Sequence, residues 1–254
     1  MNIAVMVKVL PDDQDVLVTL GGELDFSKAK SVVSTYDLNA IEAAAQLAAE
    51  TGSHVSAISV GPKKIDDSKT KKNILSRGID DLYFVADDAF EMADAHRTAQ
   101  ALAGVVRAMG DADLIVCGDG SADLYAQQVD VQLAEALGRP VVNGVIAIRL
   151  EGDGIVVDRI LENEKECVRL SLPAVVSVSP DVAVPRIAGM KDILAAGKKP
   201  VSPYAAGDIG GVAAEAVETV GVRAPEPTPR KKELFDASQD GDLDKFVAAL
   251  ASAL

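Results

Sequence analysis

Four strand-then-helix units followed by a run of consecutive strands predict an α/β protein, built on a parallel sheet that helices cover. Three observations carry that prediction. Apolar runs recur at residues 2–10, 54–60, 82–85 and 112–117, and each of the last three leads toward a segment of helical periodicity. Gly52, Gly78, Gly110 and Gly138 stand just past the ends of helical segments, where glycine serves as a cap. The composition also suits a helix-covered sheet. Hydrophobic residues make up 48% of the chain while aromatics reach only 4% and Trp is absent, so Ala, Val, Leu and Ile must fill the core.

In residues 2–10, Ile3, Val5, Val7 and Val9 fall on one side of a buried strand, with Ala4 and Met6 on the other. Residues 16–20 and 23–26 flank Gly21-Gly22, a two-residue hairpin signal. Leu38, Ile41, Ala45 and Ala48 give residues 36–50 a helical period. The strand at 54–60 stops at Gly61-Pro62, and a helix runs from there to about residue 77. Residues 82–85 form a short strand and 93–109 a long helix. The strand at 112–117 runs into Gly118-Asp119-Gly120-Ser121, with Ser121 placed to cap a helix that reaches Leu137. From Val141 the pattern turns to successive strands, at 145–150, 155–161, 167–172 and 174–178.

Residues 1–202 are expected to form the α/β domain, and 203–254 an arm. Gly, Ala, Pro and charge dominate the arm as far as Gly241, which favours an extended chain. A short helix then puts Leu243, Phe246, Val247, Leu250 and Leu254 on one face. So short a helix is marginal alone, and its face needs a surface, either its own domain or another chain. Phe246 and Leu250 are the candidate anchors.

The formal net charge of -14 argues against nucleic acid, and Asp66 and Asp67 interrupt the one basic run of Lys63, Lys64, Lys69, Lys71 and Lys72. Cys117 and Cys167 lie far apart, and neither they nor His54 and His96 have metal-ligand spacing, so no metal site is expected. No apolar run approaches the roughly 20 residues of a membrane span, and no signal peptide opens the chain. A reducing, cytoplasmic setting is expected.

Ligands of open parallel sheets sit beyond the carboxyl ends of strands, where the strand order reverses. For these four units the crevice lies between the loops after the first and fourth strands. The first loop offers Met6 and Lys8, and the second runs from Gly118 to Gln128. Gly118 and Gly120 permit close backbone approach, and a helix starting at Ser121 would present N–H groups to a phosphate. Asp123, Gln127 and Gln128 fall on its first two turns, where the Gln side chains can hydrogen-bond a base or sugar; a tight structural turn is the other reading of the same glycines. There is no GxGxxG, Walker loop or nucleophile elbow, and no catalytic base with an orienting partner assembles from neighbours. The chain reads as a holder of a nucleotide.

Several segments, in order, resemble the β subunits of electron transfer flavoproteins, most closely the Fix-type bacterial branch. Val7-Lys8-Val9-Leu10-Pro11-Asp12 resembles the family's opening motif, and residues 36–44 its first-helix segment. Residues 117–128, reading CGDGSADLYAQQ, are similar to the Fix-type nucleotide loop, and 134–140 to the segment just after that loop. Residues 157–162, Glu164, Glu166, Val168 and 173–176 resemble the signature region, and 185–200 the segment before the arm.

The resemblance implies a Rossmann-like fold of the adenine nucleotide α-hydrolase-like kind, with added antiparallel strands and an extended C-terminal arm that grips an α subunit. It implies a heterodimer whose α subunit carries the main FAD, while this subunit holds AMP or, as in electron-bifurcating relatives, a second FAD. Carried over by position, the nucleotide would touch Met6, Ser34, Thr35, Tyr36, Asp37 and Val60. It would also touch the stretch from Ser121 to about Ala136, which includes Ala122, Asp123, Leu124, Tyr125, Ala126, Gln127, Gln128 and Val129; Lys8 and Gly118 join the candidate site from the two crevice loops. Met190 falls in the loop by which relatives recognise acyl-CoA dehydrogenases. The implied role is an electron carrier with no chemistry of its own, relaying electrons between dehydrogenases and an acceptor such as an acyl-CoA or quinone reductase. The alternatives are an ATP-cleaving enzyme of the α-hydrolase-like group and a nucleotide-sensing stress-type module.

Overall fold

The computed structural model describes residues 1–254 apart from Asp111, Pro227 and Leu254, so the Leu254 position of the terminal apolar face lies outside the described residues. The chain divides into two compact units, residues 1–17 with 25–221, and residues 18–24 with 222–254.

The larger unit is the expected α/β body. Its first half holds β1 (Asn2–Met6), β2 (Val9–Pro11), β3 (Leu17–Val18), β4 (Leu24–Asp25), β5 (Ser31–Val33), α1 (Thr35–Thr51), β6 (His54–Gly61), α2 (Ser68–Leu75), β7 (Asp81–Ala86) and α3 (Ala95–Met109). The short β3 and β4 reach into the smaller unit. Then come β8 (Leu114–Gly118), α4 (Val129–Leu137), β9 (Val141–Glu151), β10 (Gly154–Ile160), β11 (Lys165–Ser171), β12 (Ala174–Val178), α5 (Met190–Ala196) and β13 (Val201–Tyr204). Nine of these strands form one sheet in the order β11-β10-β9-β12-β8-β1-β6-β7-β13, parallel from β9 to β13 and antiparallel through β10 and β11.

Period-two alternation in β1 builds a core on each face. Ile3 and Val5 join Ile41, Leu47, Ile74 and Leu75 from α1 and α2. Ala4 and Met6 join Leu102, Val105 and Val106 from α3 and Leu133 from α4. Helices end where glycine takes the left-handed conformation, as at Gly52 (φ 67°) and Gly110 (φ 100°).

Several features differ from the sequence expectation. Residues 2–10 are not one strand: the chain leaves the sheet after Met6, because the Lys8 N–H turns to Asp37 Oδ2 (2.7 Å). Residues 9–11 then pair with β5, an unforeseen strand. Residues 174–178 do not extend the antiparallel run: β12, buried throughout, inserts between β9 and β8 as a parallel strand. A non-alternating Ala-Val-Val run suits a strand covered on both faces. Finally, α5 and β13 add a helix and a strand beyond the expected set, and residues 203–221 fold with the body. There the buried Ile209 packs so closely on α3 that a Cβ at Gly104 would overlap the Ile209 carbonyl.

In the smaller unit, Gly22 (φ 79°) turns the expected hairpin, Thr19 N–H bonds Glu23 O, and Ala224 N–H bonds Gly22 O. Its α6 (Asp242–Ala251) buries no residue. Phe246 meets Phe235 edge-to-face at 5.7 Å.

Candidate functional site

Chain order runs β1, β6, β7 outward in one direction, and β8 returns on the other side of β1. That reversal leaves a crevice beyond the carboxyl ends of β1 and β8, and the cleft there holds about 790 Å³ of space including its mouth. Its floor is apolar, from Met6, Val60, Leu102 and Cys117, while Lys8, Ser121, Gln127, Gln128 and Asp130 supply polar groups.

Asp37, on the first turn of α1, ties the two cleft loops together. It accepts the Lys8 N–H from the loop after β1 and the Gly118 N–H from the end of β8. Burial pushes its carboxyl up to about 7, against the opposing pull of those N–H groups and the Lys8 charge. Gly118 is required here, since a Cβ on it would stand 2.7 Å from Asp37 Oδ1. Burial likewise raises Cys117 well above an ordinary thiol. It raises Asp119 too, against a bond from the Tyr125 hydroxyl.

Across the mouth, Lys8 Nζ meets both oxygens of Asp123 (2.8 and 2.7 Å) and Ser121 Oγ (3.3 Å). Burial works to raise Asp123, but the Lys8 bond and charge, Ser121 and the Leu124 N–H together hold it low. The lysine side chain remains 41% exposed.

The loop after Gly118 corrects the sequence expectation. No helix starts at Ser121; α4 begins at Val129, and residues 121–128 form an irregular loop. Tyr125 N–H reaches Ser121 O, one helical turn, but Tyr125 (φ 46°) and Gln127 (φ 53°) then adopt left-handed conformations that stop the helix. The Tyr125 ring lies 5.1 Å from that of Tyr36 and takes the space a Cβ on Gly120 would need. Thus the bareness of Gly118 and Gly120 serves the protein's own side chains. The available helix start is instead that of α4: its N-cap Gln128 makes no side-chain cap bond, and Gln128, Val129 and Asp130 line the cleft.

Of the residues singled out from the sequence, Met6, Lys8, Asp37, Val60, Gly118, Ser121, Leu124, Ala126, Gln127, Gln128 and Val129 line the cleft. Asp123 borders it through Lys8, and Tyr36 and Tyr125 form the aromatic pair beside it. Ser34 is fully buried before α1, while Thr35 and Ala122 are exposed and outside the lining. Sequence reasoning missed the wall from Ala95, Thr98 and Leu102, which share a face of α3, and Asp130 in the first turn of α4. The helical spacing of the first three is a usable signal, but the same spacing describes a face packed wholly into the core.

Elsewhere, Met190 is 75% exposed at the start of α5, beside exposed Ile187 and Leu194. Phe246 and Leu250 are both exposed on α6. Among the described residues no cluster of His, Cys, Asp and Glu could hold a metal, and no helix is long and apolar enough to cross a membrane.

The family model for the electron transfer flavoprotein domain matches residues 23–209, from β4 to the segment packed on α3. The match includes α1, the 118–130 loop and every strand of the large sheet except β1. With well over half its length matched, the chain belongs to the electron transfer flavoprotein domain family.

Proposed function

We propose that this chain is the nucleotide-holding β-type subunit of a heterodimeric electron transfer flavoprotein of the Fix-type branch, with AMP or a second FAD in its cleft. One observation carries the reading: the switch-point cleft combines an apolar floor with one lysine and an uncapped helix start. A purine suits Met6, Val60 and Leu102, and a phosphate suits Lys8 and the α4 N-terminus. Asp37, Asp119 and Asp130 around a single lysine oppose a bare triphosphate, which weighs against the ATP-cleaving alternative.

When bound in the complex, a flavin supplies the redox chemistry. The residues of this chain bind and orient the adenylate, and Asp37 fixes the spacing of the two loops around it. The partner is an α-type subunit carrying the main FAD, met by the apolar face of α6 through Phe246 and Leu250. Met190 and its apolar neighbours suit transient docking with an acyl-CoA dehydrogenase-type donor or acceptor. The cytoplasm is the setting we propose, where Cys117 and Cys167 stay reduced.

The test is co-purification with an α-type subunit from the same source. A stable yellow 1:1 complex that releases AMP or a second flavin on denaturation is expected. A colourless chain with no nucleotide and no affinity for such a subunit would overturn the proposal.

A further inference from the structure

Residues 183–189 lead into α5 without helix or strand, so their backbone groups need partners from elsewhere. Side chains of α1 and of the turn after α2 supply several. Asn39 Nδ2 donates to Pro180 O (3.1 Å) and Ala183 O (2.8 Å). Glu42 Oε2 accepts the Arg186 backbone N–H (3.2 Å), and Arg77 donates to the Arg186 carbonyl.

The Arg186 side chain completes the hold. Its Nε and Nη2 make a two-pronged contact with Glu42, at 2.6 and 3.0 Å, and Gln46 Nε2 donates to the same carboxylate (2.9 Å). Glu42 is only 5% exposed. Burial works to raise its carboxyl, but the bonds from Arg186 and Gln46 hold it below the ordinary range. A carboxylate so buried is costly without its partner, so the segment cannot swing away without stranding the charge. Gly78 (φ 92°) leaves the guanidinium its room, since a Cβ there would stand 3.2 Å from Arg186 Nη1.

The apolar neighbours of Arg186 are turned the other way. Val184, Ile187, Met190 and Leu194 are all exposed, Ile187 at 95%. An apolar segment free to move would gain by folding such side chains onto the body. Here the polar groups are spent inward, and the apolar ones stand out in water.

We propose that Glu42 is a positioning residue for docking: through Arg186 it fixes residues 183–189 against α1, so that Ile187, Met190 and Leu194 meet an apolar pocket of a redox partner as a preformed surface. A surface ordered in advance loses less freedom on binding, and the gain falls on affinity. This inference rests on the docking reading of Met190, and its test separates the two.

The heterodimer is reduced by an acyl-CoA dehydrogenase from the same source, with the heterodimer as varied substrate and flavin bleaching as the signal. Met190→Ser should raise KM about tenfold, the loss of an interface anchor. Glu42→Gln should also raise KM about tenfold while moving kcat, and AMP binding in the cleft, less than twofold. Arg186→Lys keeps the charge but loses the two-pronged contact, and should raise KM about threefold; it carries the test if Glu42→Gln fails to fold. Trypsin should cut the Arg186–Ile187 bond about tenfold faster in Glu42→Gln, because the guanidinium is then free to enter the protease. If Met190→Ser raises KM and neither Glu42→Gln nor Arg186→Lys does, the positioning role is overturned and the docking surface stands. Parallel losses in KM, kcat and AMP binding, or unchanged cleavage, overturn it too, the first by showing a general loosening of α1. If Met190→Ser leaves KM unchanged, the docking reading falls and takes the role of Glu42 with it.

Discussion

Helices α3 and α6 both carry an apolar stripe, yet that of α3 is buried in the core of its unit and that of α6 is exposed. Seven residues of α3 are buried, Ala99 and the run from Ala101 to Val106, and they are mostly small. Gly104 even lets the Ile209 carbonyl rest against the helix. On α6, Leu243, Phe246, Val247 and Leu250 are all exposed, and these side chains are large. Small residues on a buried face let backbones approach, as a helix packed under a sheet requires. Large exposed residues on a ten-residue helix are what a second surface would bury, at about 1.5–3 kcal/mol for each side chain. Periodicity reports that a face is apolar; side-chain size and tertiary packing decide what it is for.

The sharpest break of that contrast is a charge placed on each helix. Leu102→Asp puts an unpaired carboxylate into a site only 4% exposed, against the core and the cleft floor. It should cost about 4 kcal/mol or more in urea unfolding. Phe246→Asp should change the stability of the chain alone by no more than about 1 kcal/mol. The same change should weaken assembly with an α-type partner by roughly a hundredfold, the scale of an interface anchor. Comparable losses of stability from both variants would erase the distinction. Unchanged assembly of Phe246→Asp would remove α6 as a docking face.

Much of the fold was legible because its signals are local. Alternation in Ile3 to Met6, the glycines after α1 and α3, and the apolar run of β8 each report their own strand or helix. The switch-point crevice came from strand–helix order alone, so Met6, Lys8 and Gly118 could be placed in it. What stayed hidden depends on distant partners. Ser121 to Gln128 has ordinary helix-compatible residues, and the Tyr36 ring and the Lys8 ammonium, more than eighty residues away, are among the groups that meet it as a loop. Leaving Lys8 out of β1 depends on Asp37, and the central place of β12 depends on two neighbours from other parts of the chain. A bulge at Asn143-Gly144 exists only as a mismatch between β9 and β12.

The same division between groups spent inside and groups kept for outside holds within the cleft. Asp37 is spent inside, and its test is pH. Its carboxyl ionises near 7 in the folded chain but near the ordinary 3.8 once unfolded. The folded state therefore binds the extra proton between those values, so the contribution is fully present below about 4 and is lost as pH rises through 7. Asn cannot titrate. The stability of the wild type relative to Asp37→Asn should fall by up to about 1.4 kcal/mol per pH unit across that window, then level off. Urea unfolding from pH 4.5 to 8.5 measures it, and a flat difference would show that Asp37 is not the buried titrating group.

On the proposed reading Lys8 is the group kept for a ligand, and its expected effect is the smallest. Its bond to Asp123 lies at a solvent-exposed mouth, where such pairs contribute about 0–1 kcal/mol, so losing either partner should leave stability nearly unchanged. Ligand binding separates the partners. A phosphate entering the cleft competes with Asp123 for the same ammonium, so Lys8→Gln should weaken AMP binding about fivefold at low salt. Asp123→Asn frees the lysine and removes a like charge, and should strengthen AMP binding by roughly twofold to threefold. Both changes should shrink as salt is raised, because the mouth is open to counterions. Opposite signs in the two variants are the signature of a cation held in reserve by a displaceable partner. Equal signs would mean that Lys8 and Asp123 form a structural strap, as internal to the fold as α3.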